Sequence, residues 1–178
     1  MLEKARMLEL EELADTARLR LTVHNQFPVP MKTVLQRISD ASLERRISVT
    51  VSDDKMAMDQ AFTYFERGKA KIVLSGETFA DLGIASRADF TLAHELCHAL
   101  VHSSKGAMSR SLSGRDYRAQ AGSKRTRIVE AEANYFASAF LMPRCAITSQ
   151  MTSDEITSKF RVSKRAAEIR LEAIKKFA

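Results

Sequence analysis

Residues 90 to 102 read FTLAHELCHALVH and carry an HExxH motif at His94, Glu95 and His98. Apolar residues surround most of this stretch, which predicts a buried helix with one polar edge. Because four residues of helix turn through about 400°, the two histidines lie on the same face and can bind one metal ion. Glu95 follows on the same rim, where its carboxylate can act as general base toward a metal-activated water. The motif therefore predicts a metallohydrolase.

A catalytic zinc site needs a third protein ligand. His102 is the nearest candidate, but on a straight helix it lies too far round and too far along to join His94 and His98. The chain also has no glycine between His98 and His102 to turn it, as the longer HExxHxxGxxH arrangement requires. We expect His102 to occupy a hydrogen-bonded position at the helix end instead.

A better candidate lies in a second predicted helix, where residues 128 to 143 read IVEAEANYFASAFLMP. Glu130 and Asn134 share a face with small residues that allow close packing on the HExxH helix. We expect Glu130 to be the third ligand and Asn134 to orient a ligating histidine. Glu132 points to the opposite side and is expected to be a solvated surface carboxylate. Two His and one Glu predict Zn²⁺, with Mn²⁺ or Fe²⁺ as alternatives.

Length and composition limit the number of domains, the compartment and the kind of partner that we expect. The 178 residues are 45% hydrophobic, which is enough for one compact core. We expect a metallopeptidase domain over residues 1–145 and a C-terminal segment over residues 146–178. Two cysteines and no apolar signal core or membrane-length segment predict a soluble, cytoplasmic protein. The net charge of +6 is weak evidence for an acidic partner or nucleic acid.

The remaining patterns predict an α+β fold with a mainly helical body. Helices are expected at 2–22 and 30–43, and strands at 46–51, 61–66 and 70–75. The last two strands are joined by Arg67, Gly68 and Lys69 as a hairpin, which predicts a small antiparallel sheet. The strand of Lys71, Ile72, Val73 and Leu74 precedes the metal helix and could bind a peptide along its edge. An ordinary core hairpin is the equally open alternative.

Residues 103–127 are rich in Ser, Gly and basic residues and predict a long mobile loop between the two metal-binding helices. Such a loop could gate the substrate or bind an acidic partner, although solvated disorder is the default. Tyr117 within it is a possible donor to the oxyanion of the transition state.

The C-terminal segment has helix-turn-helix spacing. A short helix from Ser153 is followed by a turn at Arg161 and Val162 and by a second helix capped by Ser163. Its basic residues Lys164, Arg165 and Arg170 could meet phosphates, while Ile169, Leu171 and Ile174 suit docking on the core. Direct DNA binding is the less favoured of these two interpretations.

Residues 87 to 102, RADFTLAHELCHALVH, and 130 to 137, EAEANYFA, with LMP ending at 143, resemble the ImmA/IrrE family of zinc-dependent metallopeptidases. The resemblance implies a zincin-like fold in which His94, His98 and Glu130 bind zinc and Glu95 is the general base. The family usually has glycine where this chain has Cys97, which implies a modest packing change. Members are associated with cleavage of helix-turn-helix repressors, which implies a repressor as substrate and derepression of stress or mobile-element genes.

Two functions from different classes remain open at this point. The first is a zinc endopeptidase that cleaves a repressor protein. The second is a non-proteolytic regulator that binds a repressor or DNA through basic surfaces, with a structural or vestigial metal site. A structural site needs no base at Glu95 and should have a fourth protein ligand, for which the sequence offers no strong candidate, so the enzyme is favoured.

Overall fold

A computed structural model of the chain describes residues 2–39, 46–52, 60–102 and 124–177. Its α+β architecture confirms the predicted fold class. In chain order, its elements are α1 (Lys4–Arg20), α2 (Met31–Ser39), β1 (Ile47–Ser52), β2 (Ala61–Glu66), β3 (Lys69–Ser75), α3 (Gly76–Asp81), α4 (Ser86–Val101), α5 (Lys124–Leu141), a 3₁₀ turn (Arg144–Ala146), α6 (Ser153–Phe160) and α7 (Lys164–Lys175).

The start of α5 differs from the sequence prediction. Helix α5 begins at Lys124, so the last part of the predicted loop 103–127 is helical. The predicted loop residues 103–123, including Tyr117, lie outside the described residues, as does the predicted end of α2 at 40–43.

The sheet has the strand order β1-β3-β2. Strands β2 and β3 form the predicted antiparallel hairpin, in which Glu66 pairs with Lys69. Arg67 and Gly68 between them have φ of 50° and 78°, as a tight two-residue turn requires. Strand β1, however, pairs with β3 in parallel. The sheet is therefore mixed, and the prediction of an antiparallel sheet is correct only for the hairpin, because β1 joins the opposite side of β3.

Strand β3 lies in the centre of the sheet, which corrects one predicted site. The strand that contains Lys71, Ile72, Val73 and Leu74 is paired with β1 on one side and β2 on the other. Its backbone is engaged by both neighbours, so the prediction that it binds a peptide along a free edge is wrong. Helix α3 also separates it from α4. The alternative of a core hairpin fits, since Ile72, Val73 and Leu74 are buried.

The core joins the sheet to the helices that carry the motifs. Helix α4 packs against α5, β2 and β3, and α1 packs against the other side of α5. Leu92 and Leu96 of α4 and Phe136 of α5 are buried within it. Ala133 and Ala137 are also fully buried, so small side chains bring α5 close to α4 as the sequence predicts. The two motif helices are thereby held side by side.

Helices α6 and α7 have the predicted helix-turn-helix spacing. Thr152 and Glu155 form a capping box at the start of α6. Arg161 then adopts the left-handed conformation with φ of 52°. Ser163 caps α7 by accepting a hydrogen bond from the Ala166 N–H at 3.2 Å. These local signals fix both ends of α6 and the start of α7.

The basic face predicted for α7 is smaller than expected. Arg170 is 0% exposed and forms a two-pronged ion pair with Glu11 of α1, at 2.5 and 2.9 Å. Its Nε donates to the Met142 carbonyl at 2.8 Å. The prediction that Arg170 could meet phosphates is therefore wrong, because the side chain ties α7 to the body of the protein. Ile169, expected to dock on the core, is 48% exposed.

Within the described ranges, no helix is long and apolar enough to cross a membrane.

Candidate metal centre

Three candidate ligand side chains converge between α4 and α5. Nε2 of His94 lies 3.0 Å from Nε2 of His98. The Glu130 carboxylate approaches both rings, with Oε2 3.3 Å from His94 Nε2 and Oε1 3.6 Å from His98 Nε2. The ligand atoms of these three residues all lie within 4.8 Å of one another. The group could therefore hold a metal ion.

The chemistry of this donor set fits zinc. Two ligands at about 2.0–2.1 Å from one tetrahedral ion stand roughly 3.3 Å apart. The contacts of 3.0, 3.3 and 3.6 Å among the three side chains bracket that separation. Two imidazoles and one carboxylate also leave a fourth position open, as catalytic zinc sites require.

The other nitrogen of each histidine ring has its own partner. Nδ1 of His94 lies 3.1 Å from Oδ1 of Asn134. Nδ1 of His98 lies 2.9 Å from Nδ1 of His102. If each Nδ1 carries its proton and donates it in these contacts, both Nε2 lone pairs are available toward Glu130. Both rings are thus oriented to bind a metal ion on the side that faces Glu130.

Glu132 is not at the surface, which corrects the sequence prediction. It is 4% exposed, and its Oε2 lies 2.9 Å from Nε2 of His102. Arg6 of α1 donates to both oxygens, at 2.7 Å from Nε and 3.0 Å from Nη2. Glu132 does face away from Glu130, as the helical spacing predicts, but α1 covers that side. A buried carboxylate needs such partners.

Glu95 is held at the rim of the site by a strand. The Thr63 hydroxyl on β2 lies 2.7 Å from Glu95 Oε2 and 3.2 Å from the Glu95 carbonyl oxygen. Burial raises the pKa of Glu95, and the hydrogen bond from Thr63 opposes that rise. A carboxyl group with a raised pKa is suited to general base chemistry near neutral pH. Sequence reasoning missed Thr63, since one threonine in an alternating strand is no motif.

The two ligating rings differ in their affinity for protons. Burial opposes a charged His94, but Glu130 and Glu95 outweigh it and raise the pKa of that residue. Burial and the neighbouring His94 lower the pKa of His98 to about 3. His98 is therefore the ring that stays neutral and ready to bind a cation.

Cys97 lies inside the motif but is fully buried. Burial raises the pKa of its thiol. The thiol is therefore a packing group, in line with the modest change expected where the family usually has glycine.

An HExxH helix packed beside a glutamate-bearing helix defines a metallopeptidase type of site. The chain belongs to the Peptidase M78 family, described as the IrrE N-terminal-like domain, whose model matches residues 49–172. The family supports a metallopeptidase type of function, and the match extends into α7.

A similar solved structure is a Mycobacterium tuberculosis transcriptional regulator. It shares 18% identity with this chain at a TM-score of 0.56, over 90% of this chain and 45% of that one. This likeness concerns the fold alone, and the chain spans less than half of that protein's length. No curated protein matches the chain significantly.

Proposed function

We propose that this protein is a zinc-dependent endopeptidase that cleaves a helix-turn-helix repressor protein in the cytoplasm. The observation that carries the proposal is the convergence of His94, His98 and Glu130 beside a buried Glu95 that Thr63 holds in place. Membership of a peptidase family supports the same function.

Each side chain then has a defined role. His94, His98 and Glu130 hold the metal. When bound, a zinc ion supplies Lewis-acid polarisation of the peptide carbonyl and lowers the pKa of a coordinated water. Glu95 takes a proton from the water that attacks the carbonyl carbon. It then passes this proton to the leaving amine nitrogen as the C–N bond breaks. Thr63 keeps the Glu95 carboxylate turned toward the substrate, and Asn134 fixes the ring of His94.

The peptide is proposed to lie along β2. Within the part of the chain that the structure describes, β2 has a strand neighbour on one side only. Its Thr63 touches the general base, so the outer edge of β2 passes beside the site. An extended segment could add to this edge through backbone hydrogen bonds. A repressor would have to expose or unfold such a segment before cleavage. We therefore expect the enzyme to act on a particular protein rather than on generic peptides.

The first test is the metal content of the purified protein by elemental analysis, without added metal. About one zinc per chain is expected. Glu130→Ala should lose it, whereas Glu95→Gln should keep it. Absence of zinc after micromolar zinc is offered, or zinc retained by Glu130→Ala, would overturn the proposed site.

The second test is cleavage of purified helix-turn-helix repressors from the same genome, followed by mass spectrometry of the fragments. Zinc-loaded wild-type protein should produce two fragments from one bond, and Glu95→Gln none. Glu77→Gln is the matched control, because Glu77 is exposed on α3. If wild type and Glu95→Gln relieve repression equally in cells, the non-proteolytic regulator is favoured instead.

A further inference from the structure

We propose that His102, Glu132 and Arg6 form a buried relay that positions the zinc ligand His98, so that helix α1 takes part in metal binding. This inference rests on the proposed function and goes beyond it. None of these side chains belongs to the three-residue group that could hold the metal. Arg6 also lies outside residues 49–172, which the family model matches.

With a neutral His102, the contacts allow one direction of hydrogen bonding. Glu132 accepts from Arg6 at both oxygens, so the proton on the 2.9 Å contact with His102 belongs to Nε2 of His102. A neutral His102 then has a lone pair on Nδ1. That atom lies 2.9 Å from Nδ1 of His98, which must be the donor. His98 is thereby fixed as the tautomer whose Nε2 faces Glu130.

Burial gives this arrangement its strength. His98, His102 and Glu132 are 8%, 6% and 4% exposed. Water therefore competes little for their polar atoms, and a ring turned the wrong way would leave a buried donor or acceptor unpaired. Partners behind a metal-binding histidine fix its orientation and its basicity, and their loss typically weakens metal binding. His102 is thus a positioning residue.

The test compares two substitutions of similar size at position 102. His102→Asn places Oδ1 where Nδ1 was, because both atoms are bonded to Cγ, and so keeps an acceptor for His98. His102→Leu removes it. We expect His102→Leu to weaken zinc affinity by roughly 10- to 100-fold. His102→Asn keeps the acceptor for His98 but loses the contact with Glu132, so its loss should be smaller and close to that of Arg6→Met. Affinity is measured by competition with a chromophoric chelator, and the Co²⁺ absorption spectrum reports the coordination.

Arg6→Met tests the part played by α1. This substitution should weaken zinc binding even though Arg6 is not a metal ligand. Combined with His102→Leu, it should add little, because the relay is already broken. His24→Leu and Arg20→Met are matched controls at exposed positions and should bind zinc as wild type does. Thermal unfolding of the zinc-free variants checks that each one folds.

The outcomes separate this inference from the proposed function. Wild-type protein that binds no zinc would overturn the function and the relay together. Zinc binding by wild type that is unchanged in folded His102→Leu would overturn the relay alone. Equal loss in His102→Leu and His102→Asn would also overturn it, since packing rather than the acceptor would then matter.

Discussion

The hydroxyl of Thr63 lies 2.7 Å from Oε2 of Glu95, so β2 holds the carboxylate that we assign as general base. Thr63 also reaches the Glu95 carbonyl oxygen at 3.2 Å. A single side chain thereby joins the sheet to the catalytic turn of α4. The strand next to the site sets the position of the base as well as offering an edge for the peptide.

Thr63→Val keeps the shape of the side chain and removes this donor. We expect kcat to fall by about 10- to 100-fold at unchanged zinc content, since a hydrogen bond to a charged group contributes about 1.5–3 kcal/mol. The Thr63 hydrogen bond lowers the pKa of Glu95, so its loss should also move the acid limb of the rate profile to higher pH. Repressor cleavage measured across pH checks both. Thr63→Ser should restore activity, and equal rates in the Val and Ser variants would contradict the assignment.

Arg170→Met should destabilise the zinc-free protein by about 3–5 kcal/mol, because it leaves a buried carboxylate on Glu11 without its cation. Urea unfolding measures the change. Adding Glu11→Met should recover part of the loss, since an apolar pair can replace a buried ion pair. Arg165→Met is the control: its side chain is 76% exposed, and surface changes usually stay within about 0.5 kcal/mol. A loss below about 1 kcal/mol for Arg170→Met would show that the ion pair contributes little.

Zinc binding should weaken on acidification with a slope of one proton per ion. Protonated histidine cannot bind metal, so each such ring releases one proton. The pKa of His94 is raised by Glu130 and Glu95, so below that pKa its proton competes with zinc and affinity falls about tenfold per pH unit. The pKa of His98 is lowered to about 3, so this ring adds no competition near pH 5. Chelator competition at several pH values gives the slope, and a slope of two would contradict the assignment.

The two cysteines should react at very different rates with iodoacetamide in the native protein. Cys145 is exposed, whereas Cys97 is buried and burial raises the pKa of its thiol. Because the thiolate is the reactive form, we expect rapid labelling of Cys145 alone, and of both thiols in urea. Peptide mass spectrometry identifies the labelled residue. Native labelling of Cys97 would show that α4 opens at the metal site.

Local signals explain what the sequence could predict. The HExxH spacing, the two faces of the second helix and the Ser163 cap depend on residues within one or two turns of helix. Helical spacing therefore places Glu130 and Glu132 on opposite sides of α5, and the structure brings Glu130 to the two histidines. The burial of Glu132 could not be predicted in the same way, because an isolated glutamate most often lies at the surface. Its partner Arg6 is 126 positions away.

The same reason accounts for the other errors. Arg170 looks like a surface cation until α1 supplies Glu11, and β3 looks like an edge until β1 joins it in parallel. Periodicity reports which face of an element is apolar, but not which element covers it. The role of Thr63 depends on the packing of β2 against α4, which the sequence pattern does not report.

Helix α1 also sets an order of events during synthesis. Its Arg6 and Glu11 are translated 126 and 159 positions before their partners Glu132 and Arg170. At about 5–20 residues per second, a ribosome needs roughly 6 to 32 seconds to produce these partners. Glu11 gains its cation only when α7 emerges, so a nascent chain carries the HExxH motif well before α1 can pack behind α5. The metal site proposed here therefore gains the support of α1 only after α5 and α7 have been synthesised.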